Sequence, residues 1–125
     1  MTFSAVAMAL TGVILQFFPH ETLNSLGMSS EGAAPLLLQI TGALYLGFAF
    51  TNWMAKAVLI GGIYARPLAI GNFAHFTIAA LALIKYAFSA GASPAVWIAV
   101  VIYSIFAVLF GIVFVTHPKQ VRSAD

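Results

Sequence analysis

Few side chains in this sequence can do chemistry, and five of them fall close together: Asn52, Lys56, Arg66, Asn72 and His75. The two cations bracket the connection AKAVLIGGIYAR, and the amides and the imidazole lie just outside it. Such a set supplies hydrogen-bond donors and positive charge, which is the chemistry of holding an anion or a lipid headgroup. These five residues are therefore the candidate ligand-binding site. His75 lies eight residues after Pro67, or ~12 Å along a helix, a depth at which a polar group is costly and is a functional candidate by default. The competing role is structural. A neutral His75 exchanging hydrogen bonds with Asn72 or Asn52 would lock helices together at ~0.6 kcal/mol per contact. For Lys56 and Arg66 the competing role is anchorage to anionic headgroups, with the loop between them lying on the membrane surface.

Other chemistries lack their parts. The chain has no cysteine, which removes disulfides, thiolate metal sites and cysteine nucleophiles. His75 and His117 differ in depth by roughly 12 Å and His20 lies at the other end of the spans, so no protein-coordinated metal and no haem is expected. The three carboxylates, Glu21, Glu31 and Asp125, sit in connections or the tail. The intramembrane acid of pumps and exchangers is thus missing, as is any acid that would orient His75 in a triad. No catalytic residue and no cofactor is expected. The sequence pI is about 9.2 with a net charge of +2, but five scattered basic residues form no phosphate-tracking patch, which excludes nucleic acid.

The elements that must position these residues are written in the composition. Of 125 residues, 62% are apolar and 6% charged, too few charges to cover a soluble surface, so the apolar excess faces lipid. Prolines divide a single domain into four apolar runs, 2–18, 35–55, 67–90 and 94–116, each near the ~20 residues that a bilayer requires and the first somewhat short. That first run has no basic flank and no small-residue cleavage site, so it reads as a retained helix and not a signal peptide. In the polar connection PHETLNSLGMSSEGAA, Glu21 to Leu26 predicts a short interfacial turn ended by Gly27. Ser93-Pro94 predicts the cap and first position of the last helix. The expected fold is all-α, an integral membrane four-helix bundle of up-down-up-down topology. Lys56, Arg66, Lys119 and Arg122 fall on one side of four spans, which places both termini in the cytoplasm of a bacterial inner membrane protein.

Small and polar residues spaced alternately three and four apart mark where helices meet in lipid. They read Ala5, Ala9, Gly12, Gln16 on the first span and Gly42, Tyr45, Ala49, Asn52, Lys56 on the second. The third carries Asn72, His75, Ala79, Ala82, Tyr86, and the fourth Val100, Ser104, Ala107, Gly111. Pairing the second and third spans antiparallel predicts Ala49 opposite Ala79, and Asn52 opposite Asn72 and His75. The stretch GALYLGFAFTNWMAKAVLIGGIYARPLAIGNFAHF resembles the small bacterial four-helix integral membrane proteins grouped as domains of unknown function. That resemblance covers most of the chain and implies the same architecture, with no catalytic residues to carry over. The small multidrug resistance transporters match in size alone, since their first helix carries a carboxylate where this one offers only Thr11 and Gln16. The expected role is a non-enzymatic structural or accessory bundle whose partners are membrane lipids and either another copy of the chain, as a homo-oligomer, or a partner membrane subunit. The alternative is an inner-leaflet binding or transport protein for an anionic lipid or small molecule, built on the five residues above.

Overall fold

Proline and glycine set the helix boundaries. The computed structural model describes residues 1–57, 65–89 and 92–116, so most of the connection between Lys56 and Arg66, and His117, Lys119 and Arg122, lie outside the described residues. Among the described residues five α-helices follow one another, α1 (Thr2–Phe17), α2 (Pro19–Ser25), α3 (Ala34–Met54), α4 (Ala65–Ser89) and α5 (Pro94–Val115), with a 3-10 turn, Ala55–Ala57, after α3. Among the described residues there is no strand. Proline stands in the first turn of α2, α3 and α5 at Pro19, Pro35 and Pro94, where its missing N–H has no helical partner to lose. Ser93 takes the extended N-cap backbone expected of it, yet its hydroxyl makes no capping bond. Its carbonyl instead accepts the Val96 N–H at 3.0 Å.

Three helices, α3, α4 and α5, are long and apolar enough to cross a membrane. The first apolar run is different. α1 has 16 residues, about 24 Å of helix against a hydrocarbon core of about 30 Å, and it passes as a span only together with α2, across a bend of 98°. Pro19 makes the break, because its ring disfavours helical backbone at the preceding residue. Phe18 accordingly leaves the helical region at φ −126°, ψ 47°. The short turn expected at Glu21 is the helix α2, which buries Pro19 and Leu23 and exposes His20, Glu21 and Asn24. It ends as the glycine predicts. Gly27 adopts φ 70°, and the N–H groups of Met28 and Gly27 close back on the carbonyls of Leu23 and Asn24 at 2.9 and 3.0 Å.

Packing groups the chain into two units, Met1–Ala57 and Val58–Asp125. In the first, α1 lies along α3. A Cβ on Gly42 would stand 2.9 Å from the Gly12 carbonyl oxygen and 2.9 Å from the Gln16 nitrogen, and a Cβ on Gly12 would stand 2.9 Å from the Gly42 carbonyl oxygen. The two backbones therefore touch, as small residues in lipid allow. Near this crossing Gln39 Nε2 reaches the Gln16 carbonyl at 3.5 Å. The α3 stripe, expected to meet the third span, thus has α1 against it at Gly42.

In the second unit α4 packs on α5, and here aromatic rings make the contact. Phe76, 2% exposed, stacks on Phe106 and Phe110 with centroids 4.8 and 5.7 Å away and meets Tyr103 edge-on at 5.5 Å. The buried line of α4 is Ala69, Asn72, Phe76, Ala80 and Ala87, whereas Ala82 and Tyr86 of the expected seam are exposed. Ring stacking adds about 0.5–1.5 kcal/mol per pair beyond area burial. That preference seats Phe76 in the α4–α5 contact, one turn from the small buried residues Asn72 and Ala80.

The Gly12–Gly42 crossing yields a controlled comparison on one helix. Gly42→Ala should destabilise the protein by about 1–3 kcal/mol, as overpacking against backbone does. At Gly47 an added Cβ meets nothing within 4 Å, so Gly47→Ala should leave stability unchanged or raise it by up to about 1 kcal/mol. Unfolding titrations in mixed micelles measure both.

Candidate functional site

Two of the five candidate residues belong to the first unit and three to the second. Asn52 is fully buried in the last turn of α3, where its Nδ2 donates to Ser4 Oγ at 3.4 Å and approaches Met8 Sδ at 3.6 Å. Ser4 in turn donates to the Met1 carbonyl at 2.7 Å, so a relay of polar contacts ties the start of α1 to the end of α3. Lys56, exposed on the turn after α3, has different surroundings. Its ammonium sits 3.4 Å from the centroid of the Trp53 ring, well inside the ~6 Å range of a cation–π contact.

Beside Trp53 the surface of the first unit opens into a groove of about 370 Å³. Its lining combines buried Ala5 and Ala49 with exposed Val6, Leu10, Phe50 and Trp53. The alanines make the hollow, because they stop at Cβ between side chains that project.

In the second unit Asn72 is fully buried and donates from Nδ2 to the Leu68 carbonyl at 2.8 Å, one turn back on its own helix. A side chain that satisfies itself this way lowers the cost of burial in an apolar setting. His75, partly buried, packs edge-on against Phe76 at 5.2 Å and tilts toward Tyr103 at 6.2 Å. Arg66, exposed in the first turn of α4, borders a second cleft of about 370 Å³ with Ile70, Phe114 and Val115. Among the described residues no group of three His, Asp or Glu comes together.

Ser4 and Met8, which share the buried surroundings of Asn52, escaped the sequence reading. Their signal was present, since Ser4, Met8 and Gly12 recur every fourth residue on α1 and all three are buried. No family model, curated protein or solved structure matches the chain. The geometry alone therefore carries the functional reading.

A double-mutant cycle tests the tie between Asn52 and Ser4. Ser4→Ala and Asn52→Leu should each destabilise the protein, with a coupling of about 0.6 kcal/mol and no more than about 1.7 kcal/mol, measured by unfolding in mixed micelles. A coupling of zero would show that the two side chains act separately.

Proposed function

We propose that the chain crosses the bacterial inner membrane four times as an up-down-up-down bundle, with both termini in the cytoplasm. In this proposal the protein is a non-enzymatic structural or accessory component that packs against lipid and against another copy of itself or a partner membrane subunit. Three helices long and apolar enough to cross a membrane support the topology, with α1 and α2 taken together as the fourth span. Large apolar side chains stand outward on every long helix, among them Phe3, Leu44, Ile78 and Val108, as lipid and protein neighbours in a membrane require. One observation carries the functional half. The buried Asn52 amide donates across from α3 to the Ser4 side chain of α1, which is the use made of polar groups that hold helices together, and the buried Asn72 amide donates to the Leu68 carbonyl of its own helix.

A second reading, recognition of an anionic lipid, is favoured by the Lys56 ammonium standing over a ring that lines the α1–α3 groove. The two readings are compatible, since an accessory membrane protein is surrounded by lipid whatever else it binds.

The absence of native cysteine makes topology directly measurable. Thr2→Cys and Ser123→Cys should resist an impermeant maleimide on intact cells and react after lysis, whereas Ser29→Cys should react on intact cells. Labelling of either terminus from outside would invert or break the four-span arrangement. For the role itself, native mass spectrometry of the protein released from membranes should show a second copy or another subunit attached. A lone chain retaining a polar small molecule would overturn the accessory reading.

A further inference from the structure

We propose that the groove between α1 and α3 is a site for one anionic phospholipid, an acyl chain lying in the groove and the headgroup received by Lys56. The inference rests on the reading that these helices stand in a membrane. The groove is a hollow of about 370 Å³ lined entirely by apolar side chains, so its occupant there is apolar. Trp53 belongs to that lining and also carries the Lys56 ammonium 3.4 Å above its ring. One side chain thus connects an apolar trough to a positioned positive charge. Among the described residues no carboxylate pairs with Lys56, and an ammonium carries three N–H donors with which to hold an acceptor.

Charge and hollow together select the class of ligand. An acyl chain leaving the bilayer for an apolar groove gains little, since lipid tails are as apolar as the groove. Any lipid can therefore fill the trough, and preference among lipids falls to the headgroup. A cation fixed at the end of a span favours an anionic headgroup over a zwitterionic one by about fivefold. A soluble anion would reach Lys56 and leave the trough unused. The site lies in whichever leaflet receives the C-terminal end of α3, the level at which tryptophan and lysine both anchor.

The chain's two tryptophans make the test specific, because Trp97→Phe leaves Trp53 as sole reporter. The full-length variant is reconstituted in phosphatidylcholine vesicles containing a small fraction of either dibrominated phosphatidylglycerol or dibrominated phosphatidylcholine, and quenching of Trp53 is compared. The expected result is an apparent association about fivefold stronger for the brominated anionic lipid. Lys56→Gln, a change at an exposed position, should bring the ratio to one while both lipids still quench. Filling the trough with Ala9→Leu, at another residue of its lining, should weaken quenching by both lipids although the charge is kept. Equal quenching by both lipids in the parent, or a preference that survives Lys56→Gln, would overturn the lipid site and leave the membrane reading intact. No quenching by either lipid would overturn both.

Discussion

Two helices in lipid gain nothing by hiding apolar surface from one another, so their association depends on how closely their backbones approach. In the first unit that constraint is met at Gly12 and Gly42, where each glycine occupies a place in which a Cβ would come within 2.9 Å of the other's carbonyl oxygen. The rest of the unit follows from this crossing. Once α1 and α3 touch there, Ser4 and Met8 come level with Asn52, and the alanines at positions 5 and 49 are left too short to close the surface over the groove. The same close approach produces the polar relay and the hollow beside it.

The second unit meets the same constraint by another route. α4 and α5 bring together Phe76, Tyr103, Phe106 and Phe110, broad surfaces whose contact replaces the intimacy of bare backbones. Gly111 serves this arrangement too, since a Cβ there would stand 3.2 Å from the Phe73 ring. Two hydroxyls of the first unit's apolar helices are handled locally. Thr11 and Thr41 each donate to the carbonyl one turn back, at 3.0 and 2.8 Å, so a polar atom costs little where water is absent.

The sequence is most legible where local chemistry decides. Pro19, Pro35 and Pro94 open helices, and Gly27 closes one, because missing donors and left-handed backbone act within a single turn. Asn52 and Asn72 are legible as buried polar residues from their place in apolar runs. Less legible is the neighbour that a stripe meets: spacing along α3 marks a face, and nothing in that spacing says that Gly42 faces α1. On α4 the expected line and the buried line share Asn72 and then part, His75, Ala79 and Tyr86 giving way to Phe76, Ala80 and Ala87. Composition favours the first and ring contact the second. Lys56 was legible as an interfacial cation, while its seat on Trp53, three residues back in TNWMAK, depends on the tight turn at Ala55–Ala57.

The 98° bend after Phe17 also bears on the bilayer itself. α1 is about 24 Å long and the neighbouring α3 about 31 Å, so the first unit is unequal in height across its width. α2 turns aside where α1 stops, with Leu23 buried and His20 and Glu21 outward. In a membrane, lipid that meets α1 meets a shorter apolar wall than at α3 and must thin to match it, at a fraction of a kcal/mol per Å. Within the first unit, such a step makes the α1 side the one that best fits neighbours whose own apolar walls are short.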